Sequence, residues 1–130
     1  MKLEKCCGCI ILNEDKVLLV KHNIGHWGFP KGHMEKNETE LQTATREVKE
    51  ETNVDVQIQE EKRYVEEYYS SEDTFKQVVY FLATCKNMNV QAQKTEIEQI
   101  EWVPIKEAVN KLTYENAKKI LKQVIEDNNL

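Results

Sequence analysis

Long apolar runs are absent from this sequence of 130 residues. No stretch approaches the roughly 20 consecutive apolar residues that cross a bilayer, so the sequence predicts no membrane span and no membrane partner. The first residues include Glu4 and lack the apolar core of a signal peptide, and we expect no export signal. These absences favour a water-soluble protein of the cytoplasm.

Glycine and proline are scarce, at four and two residues. No linker, internal repeat or low-complexity segment interrupts the chain, and its length suits one hydrophobic core. We therefore predict a single domain over residues 1–130.

Positive charge is also in short supply. Eighteen basic and 23 acidic side chains give a formal net charge of -5, and no dense basic arm is present. This balance excludes a general nucleic-acid coat protein, so we expect no DNA partner. It also argues against a long RNA partner, because phosphate contacts depend on lysine and arginine.

Cysteines spaced for a metal site or a disulfide scaffold are missing. Cys6, Cys7 and Cys9 cluster on a strand-like segment, and Cys85 lies far away on another. Zinc sites need paired Cys-x-x-Cys or Cys/His spacings, and disulfide scaffolds belong to exported proteins. We interpret the four as reduced cysteines that act as small hydrophobic residues, in keeping with the cytoplasm.

The patterns of apolar residues that are present predict a mixed α/β order. Leu41, Ala44, Thr45 and Val48 recur at helical spacing and predict a helix over 38–52. Alternating segments predict a hairpin within 7–22, a loop over 23–37, and strands at 54–58, 62–69, 76–86 and 97–105. Two further helices are predicted over 105–112 and 114–128.

Three glutamates, Glu47, Glu50 and Glu51, share one face of the first predicted helix. Like charges at this spacing destabilise an isolated helix, so a compensating cation is expected. Hard divalent ions such as magnesium bind carboxylate oxygens and bridge to phosphates. The alternative is a solvated acidic helix face with no ligand.

The residues around these glutamates favour the metal site. Gly32 is followed by Glu38, by "REVKEE" at 46–51 and by Val54, a spacing that resembles the Nudix box of the nucleoside-diphosphate-X hydrolases. The family usually has glycine where this sequence has Asn53, and asparagine is the next most tolerant residue for a left-handed helix cap. The resemblance implies the Nudix α/β/α sandwich with a central mixed β-sheet.

The resemblance also implies the roles of the residues in the box. Glu47, Glu50 and Glu51 would be ligands of a magnesium ion that manganese can replace. Gly32 would permit a tight backbone approach and offer its carbonyl to the metal. The implied reaction is attack of water on a phosphorus atom within a phosphoanhydride, with metal-bound Glu47 and Glu50 in the catalytic centre.

Other charged residues would support this centre. Arg46 lies four residues before Glu50, and we expect the two side chains to pair. Glu38 would assist through helix or metal-shell contacts. Family members often draw a further glutamate, as metal ligand or general base, from the loop before a Trp-Val-Pro strand end. That position is Glu96 here, with Glu98 as the alternative.

The segment "HWGFPKGH" at 26–33 resembles the loop of asymmetrical diadenosine-tetraphosphate hydrolases. This resemblance implies a dinucleoside tetraphosphate as a small-molecule substrate, cleaved into ATP and AMP. His26 and Lys31 would contact phosphates; the alternatives are a histidine satisfied by backbone and a solvated lysine. Trp27 is expected to pack and pin the loop.

The similarity continues beyond the box. "KQVVYFLA" at 76–83 and "LTYENAKKIL" at 112–121 resemble segments that hold adenine in those hydrolases. Tyr80 and Tyr114 would then stack on the two faces of the base, and Lys76 would meet a distal phosphate. A core tyrosine and a solvated lysine are the alternatives for Tyr80 and Lys76.

Two further functions stay open. The first is another Nudix specificity, either pyrophosphate removal from an RNA 5′ end or hydrolysis of nucleoside triphosphates. The second is a nucleotide-sensing module without catalysis, although such a module need not keep Arg46 and all three glutamates of the box. Nothing in the sequence bears on the oligomeric state.

Overall fold

Seven strands and three helices are present in the computed structural model, which describes residues 1–87, 89–92 and 95–130. The strands are β1 (Lys2–Asn13), β2 (Lys16–His22), β3 (Trp27–Gly28), β4 (Lys31–His33), β5 (Val56–Ser71), β6 (Thr74–Cys85) and β7 (Ile97–Pro104). The helices are α1 (Glu40–Thr52), α2 (Ile105–Lys111) and α3 (Glu115–Asp127). In these ranges no helix is long and apolar enough to cross a membrane.

The strands form one mixed sheet in the order β3-β2-β1-β6-β5, with β4 paired to β1 and β7 paired to β2. The central strands β1 and β6 run parallel, and the other neighbouring strands pair antiparallel. In the predicted hairpin, β1 and β2 pair only at Leu12↔Val17 and Asn13↔Lys16. β4 instead lies beside β1 at Cys6, Cys7 and Gly8.

A hydrophobic cluster covers each face of the sheet. Ala44 and Val48 of α1 belong to one cluster, and Ala108 of α2 and Leu121 of α3 belong to the other. Because side chains alternate along a strand, each long strand contributes to both clusters. The predicted α/β/α sandwich with a central mixed sheet is confirmed.

The three cysteines of β1 are buried, free thiols. Burial raises the pKa of Cys7 to about 11 and that of Cys9 to about 12, so both stay protonated at neutral pH. Cys6 packs in the cluster of α2 and α3. The interpretation of Cys6, Cys7 and Cys9 as small hydrophobic residues is confirmed.

Helix α1 begins at Glu40, two residues later than predicted, because Thr39 caps it. The Thr39 hydroxyl accepts a hydrogen bond from the Gln42 backbone N–H, and the Gln42 side chain accepts one from the Thr39 N–H. At the other end Asn53 has φ 64°, and its N–H donates to the Lys49 carbonyl. The predicted left-handed asparagine cap is confirmed.

Two sequence predictions for strands are wrong. The segments at 54–58 and 62–69 form one continuous strand, β5, with an irregularity in its pairing to β6 between Gln59 and Arg63. The loop predicted over 23–37 contains the short strands β3 and β4. Both short strands exist because longer strands of the sheet offer them backbone partners.

Candidate active site

Arg46 holds the carboxylates that face it from α1 and from the segment before α1. Its Nε lies 2.7 Å from Glu38 Oε2, and its Nη1 lies 2.6 Å from Glu47 Oε1. The predicted pair with Glu50 is present at 3.3 Å. Arg46 therefore holds Glu38 and Glu47 more closely than it holds Glu50, which the sequence did not indicate.

Glu38 is a structural partner of Arg46 and lies just before α1. Besides Arg46, it accepts hydrogen bonds from the Thr43 hydroxyl and from the Glu35 N–H, each at 2.9 Å. The Arg46 contact, followed by the Glu35 N–H, holds the pKa of Glu38 at about 2. Glu38 is thus ionised at neutral pH and fixes the guanidinium next to the helix.

Glu47 and Glu51 are carboxylates removed from water. Glu51 is only 2% exposed, and its Oε1 accepts a hydrogen bond from the Lys31 N–H at 3.1 Å. Burial raises the pKa of Glu51 to about 8, against the opposing effect of the Lys31 N–H. Burial also raises the pKa of Glu47, although Arg46 opposes it. A cation bound beside both groups would offset their desolvation.

Gly32 gives the Glu47 carboxylate its position. A Cβ on residue 32 would overlap Glu47 Oε2, so the carboxylate occupies the space that any other residue would fill. The tight approach predicted at Gly32 is confirmed, with a side chain as the close neighbour. The suggested role of the Gly32 carbonyl as a metal ligand stays a prediction.

The donor set fits a hard divalent cation. Glu47, Glu50 and Glu51 offer carboxylate oxygens and Gly32 a carbonyl, which are the ligands that magnesium and manganese prefer. Across 1–87, 89–92 and 95–130, no three His, Cys, Asp or Glu side chains stand ready to hold an ion. The Glu47 carboxylate is paired with Arg46. The half-exposed Glu50 makes a longer contact with Arg46 and can turn from it toward an ion.

Glu96 is the carboxylate of this loop whose charge acts on the cluster. It occupies the turn before β7, and its charge contributes to the raised pKa of both Glu47 and Glu51. Glu98 instead faces Lys21, at 3.8 Å. Between the two alternatives, the structure favours Glu96 as the additional carboxylate.

A cavity of about 660 Å³ opens on the α3 side of the sheet. Its lining includes His22, His26, Trp27, Phe29, Lys31, Glu66, Tyr68, Tyr69, Lys76, Tyr80 and Tyr114. Lys31 connects the cavity with the carboxylates of α1, because its side chain lines the cavity while its backbone N–H binds Glu51. The sequence predicted five of these residues as substrate contacts, and all five lie together here.

Lys31 and Lys76 bring positive charge to the cavity. Burial lowers the pKa of Lys31, and the charge of Lys76 lowers it further, so the two ammonium groups lie near each other. Neither makes an ion pair with any residue in the described ranges. Two neighbouring cations without partners suit an anionic ligand.

Gly8 places Lys31 at the cavity. A Cβ on residue 8 would overlap the Pro30 carbonyl oxygen and the Lys31 Cβ, so β4 lies directly against β1. No sequence pattern indicates this role, because Gly8 stands in an apolar strand far from the box. Only the pairing of β1 with β4 brings it under Lys31.

Tyr80 is a core residue in the wall of the cavity. It is 2% exposed, and its ring packs edge-to-face against Phe29 with centroids 5.2 Å apart. A base could not stack on a ring so enclosed, so the structure favours the core alternative. Two other tyrosines offer rings to the cavity: Tyr114, which is 57% exposed, and Tyr68, which lies opposite Lys76 on the face of β5 that carries Glu66. The neighbouring Tyr69 points to the other face of the sheet, where its ring packs edge-to-face against Phe75. Sequence reasoning does not single out Tyr68.

His26 lies in a row of rings at the cavity. Its ring stacks on His22 at a centroid distance of 4.4 Å and lies 5.3 Å from that of Tyr114. Burial lowers the pKa of both histidines, that of His22 to about 4. The lowered pKa favours the neutral form of His26 in the ligand-free protein, and a phosphate beside the ring would favour the protonated form. Helical or strand periodicity gives no signal for His22.

Trp27 fastens the segment before β4. Its backbone N–H donates to the Thr113 hydroxyl at 2.8 Å, and the Lys111 ammonium lies 4.2 Å from the centroid of its ring. The ring packs against the cluster that contains α2 and α3. The predicted packing role of Trp27 is confirmed.

A family model described as "NUDIX domain" matches residues 2–124. The chain belongs to the Nudix family. It is 31% identical to the asymmetrical bis(5′-nucleosyl)-tetraphosphatase of Sus scrofa, over 92% of this chain and 91% of that protein. The crystal structure of a C. elegans Ap4A hydrolase binary complex has a TM-score of 0.86 and 28% identity, over 97% of this chain and 98% of that chain. The crystal structure of a NUDIX hydrolase from Nitrosomonas europaea has a TM-score of 0.83 and 30% identity, over 99% of this chain and 73% of that chain.

Membership of the Nudix family establishes the class of reaction. The chain is a hydrolase that acts on pyrophosphate bonds, and Nudix hydrolases generally need divalent metal ions. The α1 carboxylates and the adjoining cavity are therefore the candidate active site of a Nudix hydrolase.

Glu51 makes the stability of the metal-free Nudix domain depend on pH. Its folded pKa of about 8 lies above the ordinary value of 4.5, so between these values the folded state holds a proton that the unfolded state has released. Protonation of Glu51 therefore adds to the free energy of unfolding. This stabilisation is fully present below about pH 4.5 and is lost as the pH rises through about 8, with an upper limit on the order of a few kcal/mol. Urea unfolding in EDTA across this range should show the decline.

The matched variant is Glu51→Gln, which keeps the size of the side chain and removes its titration. We expect it to unfold with a flatter pH profile and to be the more stable protein above about pH 8. Exposed Glu107 on α2 provides a control, since Glu107→Gln should keep the wild-type slope. Equal slopes in wild type and Glu51→Gln would show that Glu51 is ionised throughout.

Proposed function

We propose that this chain cleaves dinucleoside tetraphosphates asymmetrically, converting diadenosine tetraphosphate into ATP and AMP. The relatives named as asymmetrical tetraphosphatase and as Ap4A hydrolase support this substrate. We propose magnesium as the metal, with manganese as a substitute, bound by Glu47, Glu50 and Glu51 together with the Gly32 carbonyl and Glu96.

One observation carries the proposal: the cavity places aromatic rings and unpaired cations next to the carboxylates of α1. Tyr68 and Tyr114 offer rings to a base, and Lys31 and Lys76 offer charge to a chain of phosphates. Lys31 lies at the junction, since its backbone binds Glu51. A nucleotide with its base at the tyrosines would thus extend its phosphates toward the metal ligands.

Each group then has a defined part in the reaction. Bound magnesium would supply positive charge to the phosphates and lower the pKa of water. Arg46 orients Glu47 and Glu50, and Lys31, Lys76 and His26 bind phosphate oxygens that gain charge in the transition state. Glu96, in the exposed turn before β7, can accept the proton of the attacking water.

Product analysis of the purified protein with magnesium tests this function. The panel contains diadenosine tri-, tetra- and pentaphosphate, triphosphorylated RNA, and ribo- and deoxynucleoside triphosphates. We expect the highest kcat/KM for diadenosine tetraphosphate, with ATP and AMP as the products. A preference for RNA, with release of pyrophosphate, or for a nucleoside triphosphate would replace the proposed substrate and leave the family assignment intact.

Tyr68 and Tyr114 should determine KM. Stacking on an aromatic side chain contributes about 1–3 kcal/mol per base, so Tyr68→Ala or Tyr114→Ala should raise KM for diadenosine tetraphosphate about tenfold. The value of kcat should change less, because stacking stabilises the ground and transition states alike. Steady-state kinetics give both constants, and a substrate with no base at that end should respond little.

Tyr80 gives the contrast for this experiment. Because its ring is buried against Phe29, Tyr80→Ala should lower the free energy of unfolding rather than act on KM alone. If Tyr80→Leu, which removes the ring, raises KM while Tyr68→Ala and Tyr114→Ala do not, then the base lies at Tyr80 and the rings of Tyr68 and Tyr114 have another role.

A further inference from the structure

One acidic side chain lies in the cavity wall without a part in the proposed reaction. Glu66 projects from β5 and lines the cavity together with Lys31 and Lys76. Its Oε2 atom is buried and finds no hydrogen-bond partner in the part of the chain that the structure describes. Leaving a buried carboxylate oxygen unpaired is unfavourable, and such an atom in a native fold requires an explanation.

The lysines of the cavity do not pair with Glu66. Burial raises its pKa, and the charges of Lys31 and Lys76 only partly oppose that rise. Within the described ranges no ion pair joins either ammonium to the carboxylate. The cavity therefore offers a ligand the Glu66 carboxylate as a hydrogen-bond acceptor and, apart from it, the ammonium groups of Lys31 and Lys76 as donors.

The chemistry of the carboxylate restricts what can lie against it. Phosphate oxygens are acceptors and carry negative charge, so an ionised Glu66 repels them. A neutral N–H or O–H group is attracted, and hydrogen bonds to a charged acceptor are the strong ones. In a nucleotide, such donors occur on the nucleoside, as the exocyclic amino group of the base and the hydroxyls of the ribose.

We propose that Glu66 is a specificity-determining residue that accepts a hydrogen bond from an N–H or O–H donor of the substrate's nucleoside. The inference rests on the proposed function, because it takes the cavity to bind a nucleotide. It adds a direction to that binding: the nucleoside lies at the Glu66 wall, and the phosphates lie along Lys31 and Lys76. It also explains why an acidic residue persists in an anion-binding cavity.

Equilibrium binding tests the proposal without any need for hydrolysis. The probes are the β,γ-methylene analogues of ATP, inosine triphosphate and 2′-deoxy-ATP and 3′-deoxy-ATP, titrated calorimetrically with magnesium present. Wild-type protein should bind the adenosine compound about tenfold more tightly than the analogue that lacks the donor. Weak binding of the inosine compound identifies the amino group, and weak binding of a deoxy compound identifies a ribose hydroxyl.

Glu66→Met should bring that ratio close to one, because methionine offers no comparable acceptor. Loss of the carboxylate charge should raise the affinity for every phosphate-containing probe alike, so only the ratio reports the hydrogen bond. Glu67→Gln is the matched control, because Glu67 is the next residue on β5, is exposed, and bonds to Gln77 outside the cavity. An unaltered ratio in Glu66→Met, or no discrimination by wild type, overturns the proposal. A failure to hydrolyse diadenosine tetraphosphate, with nucleotide binding retained, overturns only the proposed substrate.

Thermal unfolding separates this role from a structural one. Because Glu66 is unpaired in the ligand-free protein, Glu66→Gln and Glu66→Met should melt at or above the wild-type temperature. In Glu66→Met, the adenosine probe and the analogue without the donor should give equal stabilisation, whereas wild type should gain more from the adenosine probe. A lower melting temperature for both ligand-free variants would show that Glu66 stabilises the fold, and would overturn the proposal.

Discussion

Turnover should fall at least tenfold when Glu50 is replaced by glutamine. Glu50 is the proposed ligand that reaches the solvent, since its side chain is half-exposed and only 3.3 Å from Arg46. Glutamine keeps the size and removes the charge. Even residues that merely support metal ligands contribute about 10–100-fold to metal affinity or activity, so a lost ligand should cost no less. The measurement is kcat at saturating magnesium on the best substrate of the panel.

Two comparisons make the result decisive. Glu107→Gln removes a charge from α2, on the other face of the sheet, and should keep wild-type kcat. Circular dichroism should show the same fold and thermal stability in both variants. If Glu50→Gln turns over at the wild-type rate, Glu50 does not belong to the metal site. The same assay on Glu96→Gln and Glu98→Gln decides between these two residues of the loop.

The substitution Gly32→Ala should abolish most activity without unfolding the protein. The added Cβ would overlap the end of the Glu47 side chain, which can swing away. The carboxylate would then leave its place beside Glu51, and a displacement of about 1 Å in an active site can lower the rate about 100-fold. The free energy of unfolding should change by no more than about 1 kcal/mol, as for an ordinary substitution. Kinetics and urea unfolding measure the two effects.

Gly8→Ala is the matched contrast. There the new Cβ would overlap backbone, at the Pro30 carbonyl, which cannot move without separating β4 from β1. We expect this variant to lose about 1–3 kcal/mol of stability, as overpacked cores do. If the Gly32→Ala enzyme keeps its kcat, the contact between Gly32 and Glu47 is not needed for catalysis.

The signals that located helix α1 are local, which is why the sequence revealed them. The apolar stripe with Ala44 and Val48, and the asparagine at the helix end, depend on neighbours within a turn. The glutamates of the box share a face for the same reason. The apolar pattern does not mark the first residue of the helix, which the Thr39 cap determines.

The continuity of β5 could not be read in the same way. Glu60 and Glu61 interrupt the alternation of apolar residues, so the pattern suggested two strands. Pairing with β6 carries the strand through this interruption, and the irregularity between Gln59 and Arg63 absorbs it. Such support comes from a partner strand and leaves little trace in the segment itself.

The pairing of β5 with β6 also decides which tyrosines can contact a ligand in the cavity. Tyr80 stands in an apolar segment, and only the fold shows that Phe29 covers its ring. Tyr68 lies opposite Lys76 and faces the cavity, whereas its neighbour Tyr69 lies opposite Phe75 and faces the other side of the sheet. Register and irregularities decide which side chains reach the cavity, and a single sequence contains no direct record of either.

Electrostatic partners were predictable only at helical spacing. The pair of Arg46 with Glu50 follows from their separation of four residues. The shorter contact from Arg46 to Glu38 depends on the path of the chain before α1. Glu66 gave no signal at all, since a glutamate in an acidic strand is expected to face water.

The parallel pairing of β1 and β6 has a consequence for how the chain folds during synthesis. Lys2 lies opposite Thr74 and Leu12 lies opposite Thr84, so β1 leaves the ribosome long before its central neighbour exists. Contacts so distant in sequence form late, because the intervening chain must first lose its freedom. Helix α1 can form early, but β4 and Lys31 rest on a strand that gains its partner only after residue 84. The nascent chain therefore carries every proposed metal ligand of the box well before it can bind a substrate.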